Sequence, residues 1–521
     1  MTGAGMRLIT LSNVKLPVGK DEKSLLAFAE KKLGRKAGYF AIKKKSLDAR
    51  DKNNVRFVYT IEFSVDKKRE EELLLERLPT EKTPQLPVAV IGSGPAGLFC
   101  ALRLLARGIK PVVVERGAPV EERERNISRF FAERILDTES NVQFGEGGAG
   151  TFSDGKLNTQ THSAFHQEVL KTFVRFGAPE EILWLNKPHI GSDNLKKVVK
   201  NMREYILAQG GEVRFHTCCT DIVSQDGKIT AVKLCSKIGG EQTLPVSAAV
   251  FAIGHSARDT FEKLLARGVR LLQKDFAVGV RIEHLQAKIG LAQYGKTYTQ
   301  LPAADYKLVS HASARAAFTF CMCPGGVVMP AASEQGGVVV NGMSNYARNE
   351  RNANSALIAQ VNSEDFGSSH PLAGVEFQRK LERAAFAAGG GNYAAPVQLV
   401  GDFLKDKTSK QFGEVLPSYA AGPAFADRRA VLPPPVISAL KAAIVDMDKK
   451  LRGFSAPDAV LTAVESRTSS PVRIERDETL QSVSLKGLYP CGEGAGYAGG
   501  ITSSAVDGIR VADGVFRQLL Q

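Results

Sequence analysis

The sequence predicts an α/β protein, α+β overall, whose framework is a parallel sheet of β-α-β units. Two stretches lead to this prediction. Residues 87–117, "PVAVIGSGPAGLFCALRLLARGIKPVVVERG", have the pattern of an apolar strand, a glycine turn, an apolar helix and a second strand. Residues 487–520, "GLYPCGEGAGYAGGITSSAVDGIRVADGVFRQLL", again combine a strand, a glycine-rich turn and a helix. Strands that alternate with helices in this way pack in parallel, with the helices covering the sheet.

The composition is that of a globular chain of two or three domains. Of its 521 residues, 43% are hydrophobic and 24% are charged. No run of about 18 apolar residues predicts a membrane span, and the first residues lack the apolar core of a secretion signal. The seven cysteines have no disulfide-framework spacing, which indicates a reducing compartment. We therefore expect a cytoplasmic protein.

Residues 1–85 predict a small basic α+β domain of β-α-β-β order. Strand patterns in "MRLITLSNVKL", "GYFAIKKKSL" and "VRFVYTIEFSV" surround a helical spacing from Lys23 to Leu33. A charged helix over residues 66–77 follows. These 85 residues hold 19 Lys and Arg against 12 Asp and Glu, half of the net charge of +14. A solvated basic face is favoured over a nucleic-acid surface, because no aromatic platform interrupts the basic runs.

The first glycine motif, Gly92, Gly94 and Gly97, lies between a strand and a helix. In such a G-x-G-x-x-G turn the first glycine allows the tight bend, the second lets a pyrophosphate approach the backbone, and the third allows close helix–strand packing. Glu115 ends the second strand, 23 residues after Gly92, where a carboxylate accepts from ribose hydroxyls. The helix N-terminus favours phosphate. Together these features predict a Rossmann-type dinucleotide site.

A second G-x-G-x-x-G begins at Gly145, in "VQFGEGGAGTFSDGK". It lacks the flanking strand, the helix and the downstream acid, so we do not expect a second dinucleotide site. We expect a loop whose backbone, at Gly147 and Gly148, touches a ring or a phosphate of the bound molecule. A purely structural loop is the alternative, because short motifs often match by chance.

The C-terminal element indicates which dinucleotide binds. Gly492 and Glu493 follow a short strand, and a helix begins near Ile501. A carboxylate at this place can accept hydrogen bonds from ribityl hydroxyls. The N-terminus of the following helix can stabilise the negative charge of a reduced flavin. Because a nicotinamide dinucleotide needs no such second element, the pattern favours FAD.

The pairing of "VIGSGPAG…VVVERG" with "LYPCGEGAGYAGGITSSAVDG" resembles the FAD-binding halves of glutathione-reductase-type flavoproteins. "VQFGEGGAGTFSDGKLNT", "FAIGHSARDTF", "FTFCMCPGGVVMPAASE" and "ESRTSSPVRI" are similar to signatures of the FAD-dependent (NAD/FAD-utilizing) dehydrogenases. The resemblance covers nearly the whole chain, and Glu493 stands where an Asp is usual. With the motifs above, it implies these cofactor-binding residues: Gly92, Ser93, Gly94, Pro95, Ala96, Gly97, Glu115, Arg116, Gly147, Gly148, Gly492, Glu493, Gly500, Ile501 and Thr502.

The resemblance also implies three domains. After the N-terminal domain, residues 86–260 and 461–521 form a discontinuous Rossmann-type FAD-binding domain. Residues 261–460, which mix strand-like and helical runs, form an inserted mixed α/β domain on the substrate side of the flavin.

Few residues are candidates for chemistry. His255 and His284 are candidate acid–base groups, since an imidazole titrates near neutrality, although each has a structural alternative. Cys491, beside the expected flavin, could tune it or simply pack. Cys321 and Cys323 form C-x-C in a strand, so both thiols face one side, and we expect them to be buried or to line the cofactor. No metal site is expected.

The predicted function is that of an FAD-dependent oxidoreductase, a dehydrogenase or reductase. Non-covalent FAD would pass hydride to or from a small organic substrate. No second strand–glycine–helix fingerprint lies between the FAD segments, so NAD(P)H remains open only as a transient electron donor. The alternatives are an FAD-dependent monooxygenase, and a non-catalytic FAD-binding redox sensor whose N-terminal domain binds nucleic acid. No feature of the sequence indicates an oligomeric state.

Overall fold

The structure, a computed structural model, describes residues 8–66, 84–159 and 163–520. The helix predicted over residues 66–77 lies outside the described residues except for its first position. The strands are β1 Ile9–Pro17, β2 Tyr39–Asp48, β3 Arg56–Ser64, β4 Val88–Ile91, β5 Pro111–Val114, β6 Glu212–Arg214, β7 Thr217–Gln225, β8 Lys228–Ser236, β9 Gly240–Pro245, β10 Ala248–Phe251, β11 Leu271–Gln273, β12 Phe276–Leu285, β13 Val309–Ser310, β14 Ala317–Cys323, β15 Val327–Pro330, β16 Val340–Met343, β17 Asn352–Val361, β18 Ala395–Leu399, β19 Pro423–Phe425, β20 Val460–Glu465, β21 Val472–Ile474 and β22 Leu488–Pro490. The α-helices are α1 Lys23–Leu33, α2 Pro95–Ala106, α3 Val120–Glu133, α4 Phe165–Arg175, α5 Ser192–Ala208, α6 Arg258–Ala266, α7 Gln286–Tyr294, α8 Ala373–Ala388, α9 Val400–Leu404, α10 Pro434–Lys450 and α11 Ile501–Leu520.

The first unit is an antiparallel sheet of order β1-β3-β2 with α1 packed on one face. The alternating pattern of β3 buries Tyr59, Ile61 and Phe63, and α1 contributes Leu25 and Ala29 to the same core. The period-two pattern therefore gives one apolar face, which the helix covers.

A parallel five-stranded sheet of order β22-β10-β4-β5-β6 carries the glycine turns. All four residues of β4 are buried, as expected for a strand covered on both faces. The edge strand β22 pairs with β10 although more than 200 residues separate them. Helices α2 and α11 pack together in one apolar core on the sheet. The predicted fold class, an α/β protein with a Rossmann-type sheet, is confirmed.

Residues 276–465 form a different layer. Their seven-stranded sheet has the order β13-β14-β17-β12-β20-β18-β19, and all its neighbouring strands are antiparallel except β18 and β19. Helix α10 contributes to the core of this sheet. The strands that build the two sheets agree with an inserted unit, while the exact division at residues 85, 260 and 460 stays a prediction.

A buried ion network joins the two layers. The carboxylate of Glu382 in α8 accepts paired hydrogen bonds from Arg258, at 2.7 and 2.9 Å, and from Arg467, at 2.9 and 2.8 Å. Arg258 begins α6 beside the parallel sheet, and Arg467 follows β20 of the antiparallel sheet. Burial alone would raise the pKa of Glu382, but the two guanidinium groups hold it well below its usual value.

We expect Glu382→Gln to destabilise the protein by about 3–5 kcal/mol, because removing one partner leaves buried charges uncompensated. The depressed pKa of Glu382 means that its stabilisation is present above the unfolded value and is lost as the pH falls. The difference in the free energy of unfolding between the wild type and the variant should therefore be largest near neutral pH and smaller in acid. Urea unfolding at pH 7 and pH 4 measures both effects.

Glu376→Gln is the matched control, because Glu376 lies in the first turn of the same helix with a side chain 61% exposed beside Arg379. A loss of only about 0–1 kcal/mol is expected for such a surface pair. Equal losses in the two variants would show that the network does not hold the layers together.

Candidate functional site

A cavity of about 340 Å³, here called the central cleft, lies where the parallel strands end. Ligands of open parallel sheets bind at this carboxyl edge, and the volume falls within the usual range for ligand pockets. Residues from both glycine loops, from the turn after β10, from β14 and β20 and from the C-terminal element line the cleft: Gly92, Gly94, Pro95, Ala96, Glu115, Arg116, Gly145, Gly148, His255, Phe320, Cys321, Glu465, Cys491, Glu493, Gly499, Gly500 and Ile501.

The first glycine turn is crowded at two glycines and open at the third. Gly92 has a φ of +103°, and a Cβ there would overlap the carbonyl oxygen of Ala252. A Cβ on Gly97 would overlap the carbonyl oxygen of Gly92. At Gly94, by contrast, a Cβ would meet only the Cα of Gly148, at 3.8 Å. The backbone at Gly94, just before α2, therefore faces free space, as an approaching phosphate requires.

Glu115 ends β5 in the expected place, but its carboxylate is already fully hydrogen-bonded. One oxygen accepts from the backbone N–H of Ser93 at 2.9 Å and from its hydroxyl at 2.7 Å. The other accepts from the N–H groups of Gly117 at 2.9 Å and Gly145 at 3.0 Å. A carboxylate offers about four lone-pair sites, so a ribose hydroxyl would have to share them. The ribose contact at Glu115 stays a prediction.

The second glycine loop packs directly on the first. The N–H of Gly147 donates to the carbonyl of Ser93 at 2.9 Å. The fully buried Arg123 of α3 donates to five carbonyl oxygens of the loop, those of Asn141, Val142, Gly145, Glu146 and Gly148. Burial lowers the pKa of Arg123 to about 10, so the guanidinium remains charged at neutral pH. Gly148 lines the cleft, whereas Gly147 lies behind it.

The C-terminal element supplies an unpaired acid and open backbone. Gly492 has a φ of +75°, and its N–H donates to Asp507 at 2.8 Å. The carboxylate of Glu493 lines the cleft with no hydrogen-bond partner among the described residues. Burial raises the pKa of Glu493 to about 7. A Cβ on Gly500 would meet no atom within 4 Å.

These features fit an FAD. The open backbone at Gly94 suits a pyrophosphate, and the unpartnered carboxylate of Glu493 suits hydroxyl donors such as those of a ribityl chain. Ten of the fifteen predicted cofactor residues line the cleft. The five that do not are Ser93, Gly97, Gly147, Gly492 and Thr502. Thr502 instead donates its hydroxyl to the carbonyl of Leu157 at 2.8 Å and anchors α11.

The three candidates for chemistry have different surroundings. His255 lines the cleft, but burial and the nearby Arg467 and Arg258 lower its pKa to about 3, so it is neutral at pH 7. His284 is buried in β12, bonded to the carbonyl of Phe454 at 2.9 Å, and does not line the cleft. Cys491 lines the cleft, but burial raises its pKa well above the usual value.

Sequence patterns did not reveal several residues that shape the site. Arg123 sits in a charged helix whose sequence resembles an exposed one, and only the tertiary structure brings the loop carbonyls around it. Asp507 lies in the second turn of α11 and pairs with Arg476 at 2.7 and 2.9 Å. Glu465 ends β20 in the cleft, and burial raises its pKa to about 7. No local motif marks any of the three.

Three segments of the chain match known families. Residues 85–130 match an FAD binding domain. Residues 275–468 match a family described as FAD-dependent protein, C-terminal domain-like. Residues 8–64 match a domain of unknown function.

Two curated relatives are similar over very different lengths. An uncharacterized protein of Clostridium beijerinckii is 46% identical over 539 residues, which cover 98% of this chain and 99% of that protein. A dual trans-enoyl reductase/FAD-dependent monooxygenase of Aspergillus terreus is 30% identical over 167 residues, 30% of this chain and 21% of that protein.

Similarity to solved structures is weak. A glycerol-3-phosphate dehydrogenase from Bacillus halodurans complexed with FAD gives a TM-score of 0.34 at 13% identity, covering 84% of this chain and 65% of that one. A geranylgeranyl bacteriochlorophyll reductase-like protein from Thermoplasma acidophilum gives 0.37 at 10% identity, covering 84% and 80%. With TM-scores below 0.5, neither likeness assigns this chain a substrate.

The fold, the central cleft and the two FAD-related matches define the class of protein, which is an FAD-dependent oxidoreductase. The full-length similarity then identifies the family: the chain belongs to the same family as the Clostridium beijerinckii protein. Within the described residues, no helix is long and apolar enough to cross a membrane.

Replacing Gly94 by Ala should separate cofactor binding from folding. Gly94 has φ −73° and ψ −177°, which alanine also adopts, so the melting temperature of the FAD-free protein should barely change. The methyl group would occupy the space open to a phosphate. Losing one charge-assisted hydrogen bond, worth about 1.5–3 kcal/mol, should weaken FAD binding roughly tenfold or more.

Gly97→Ala is the contrasting variant, because its methyl group overlaps the backbone of the turn itself. It should lower both FAD affinity and the melting temperature of the FAD-free protein. Fluorescence titration of FAD and thermal unfolding measure the two quantities. Unchanged FAD affinity in Gly94→Ala would place the phosphates elsewhere.

Proposed function

We propose that the protein binds FAD non-covalently along the central cleft and passes hydride between the flavin and a small organic substrate. The observation that carries this proposal is the meeting of two distant segments in one cleft. The first glycine turn with the start of α2, and Glu493 with the start of α11, line the same cleft. The first segment supplies the N–H groups of the α2 N-terminus for phosphates, and the second supplies a carboxylate with no hydrogen-bond partner among the described residues for hydroxyls.

The chain's own residues would bind and orient the cofactor. The N-terminus of α2 presents unpaired N–H groups to the pyrophosphate. Glu493 accepts from the ribityl hydroxyls, and the N-terminus of α11 favours negative charge near Ile501. When bound, FAD supplies the hydride chemistry. The antiparallel sheet adds Phe320 and Glu465 to the lining of the cleft.

The topology of the second sheet bears on how an electron donor would reach the flavin. Residues 276–465 form an antiparallel sheet, so within the described residues the inserted layer contains no second parallel dinucleotide-binding sheet. We propose that the protein keeps the two FAD segments of the glutathione-reductase-type flavoproteins and takes hydride from NAD(P)H transiently at the flavin. A cytoplasmic location stays a prediction, and a nucleic-acid partner for residues 1–85 stays the less favoured alternative to a solvated basic face.

The visible spectrum of the purified protein under argon tests the proposal. An oxidised flavin spectrum that bleaches within seconds of adding NADH or NADPH is the expected result. A flavin that stays oxidised would exclude a nicotinamide donor but retain FAD binding. A protein that holds no FAD after reconstitution would refute the proposed function.

Glu493→Gln should have opposite effects on the FAD-free and FAD-bound protein. Because burial raises the pKa of Glu493 to about 7, the fold disfavours its ionised form, and stability falls as the pH rises from the unfolded value through 7. The FAD-free variant should therefore melt higher than wild type at pH 8, and this gain should largely disappear at pH 5. FAD affinity should fall roughly tenfold, since bonds to a charged acceptor are worth about 1.5–3 kcal/mol.

Glu478→Gln is the control, at an exposed position in the same C-terminal segment. It should change neither the melting temperature of the FAD-free protein nor the affinity for FAD. Differential scanning fluorimetry at the two pH values and FAD titration measure the effects. A Glu493→Gln variant with wild-type FAD affinity would remove Glu493 from the binding site.

A further inference from the structure

The two cysteines of β14 occupy an irregular position in the antiparallel sheet. Phe320 pairs with Ala356 and Cys323 with Asn354 on β17, so three steps along β14 match two steps along β17. This extra residue is a β-bulge, which re-aims side chains and often lies next to active sites. Cys321, inside the bulge, has a φ of +41°, a backbone conformation that non-glycine residues rarely adopt.

The bulge brings the two cysteines into contact. The Cys323 thiol donates to the carbonyl oxygen of Cys321 at 3.3 Å. The interaction between the neighbouring thiols lowers the pKa of Cys321 and raises that of Cys323. Two extended residues span roughly 6.6–7.2 Å, at the upper end of the usual Cα–Cα range of a disulfide, about 4.4–6.8 Å. The irregular backbone of a bulge therefore suits closure of a disulfide better than a regular strand does.

A buried cation supports the pair from behind. Arg281 of β12 donates to the Cys321 carbonyl at 2.6 Å and lies 3.6 Å from the Cys323 sulfur. Lys156, which lines the cleft, also favours a thiolate at Cys321. Reactive cysteines occupy electropositive, partly exposed surroundings of this kind, whereas structural ones are buried in apolar surroundings.

The pair opens on the same cleft as the cofactor residues. Cys321 is half-buried and lines the cleft with Glu465, while Cys323 is fully buried behind it. The other cysteines of the cleft differ, because burial raises the pKa of Cys218 and Cys219 to about 12. The β14 pair is distinguished by Arg281, which hydrogen-bonds to both of its residues, and by the opening of Cys321 to the cleft.

We propose that Cys321 and Cys323 form a redox-active dithiol–disulfide pair that exchanges two electrons with FAD in the central cleft. This inference rests on the proposed binding of FAD there. In the oxidative direction the Cys321 thiolate and the Cys323 thiol form an S–S bond as the S–H bond of Cys323 breaks. The electron pair and that proton pass to oxidised flavin and give its anionic reduced form, so atoms and charge balance. The reverse reaction reopens the disulfide.

The mass of one peptide tests the bond without any activity assay. Trypsin should release residues 316–348 as a single peptide that contains Cys321 and Cys323 and no other cysteine. After oxidation by molecular oxygen, the pair in the holoenzyme should resist iodoacetamide. After reduction by dithionite, both cysteines should be alkylated. Iodoacetamide is added in urea in both cases, because Cys323 is fully buried in the folded protein. Two alkylated cysteines in both states would overturn the proposal.

Electron counting tests the exchange. Anaerobic dithionite titration of the oxidised holoenzyme should consume four electrons per FAD, twice the two electrons that flavin alone accepts. Cys321→Ser and, separately, Cys323→Ala should each reduce the count to two, while Cys235→Ser, at an exposed position of β8, should leave it at four. The wild-type count needs no variant to fold.

The outcomes separate the two proposals. If the wild-type holoenzyme consumes only two electrons per FAD, the proposed redox role of Cys321 and Cys323 is refuted, while FAD binding is unaffected. A protein that retains no FAD overturns the proposed function and with it the exchange, and the peptide mass then shows whether the disulfide forms on its own.

Discussion

The carboxylate of Glu115 is the constraint on which the cofactor side of the molecule depends. It accepts hydrogen bonds from the first glycine turn and from the second glycine loop, which brings two segments 50 residues apart into one rigid wall. Arg123 has the complementary role, because its guanidinium donates hydrogen bonds to carbonyl oxygens of the second loop. A buried acid satisfied by N–H groups and a buried cation satisfied by carbonyls are each stable, since neither is left unpaired in the low-dielectric interior.

Local sequence predicted the parts of this arrangement that depend on local geometry. The glycine spacing located the turn before α2, the alternating pattern located β3, and the terminal glycine–acid pair located the second half of the site. The role of Glu115 could not be predicted in the same way. Tertiary packing alone brings the N–H of Gly145 to the carboxylate of Glu115. A sequence motif does not indicate which donors will form hydrogen bonds with that carboxylate.

The strand that carries Cys321 shows a second limit of sequence patterns. A C-x-C spacing in a regular strand places both thiols on one face, and the sequence pattern predicts a regular strand here. One inserted residue in the pairing with β17 changes the direction of the side chains, and no residue type in "FTFCMC" requires that insertion. The register of a sheet is a property of both strands, so a single strand's sequence leaves it open.

The pairing of β22 with β10 has a consequence for how the protein is made. The edge of the parallel sheet and the acid-bearing half of the cleft come from residues synthesised more than 200 positions after β10. During translation the β1-β3-β2 unit can fold early, because its apolar core is formed entirely by residues between Ile9 and Phe63. The parallel sheet lacks its edge strand β22 until the inserted layer has been synthesised. Binding of the cofactor by both segments is therefore a late event in the folding of each molecule. The inserted layer is synthesised before the C-terminal segment can complete the cleft.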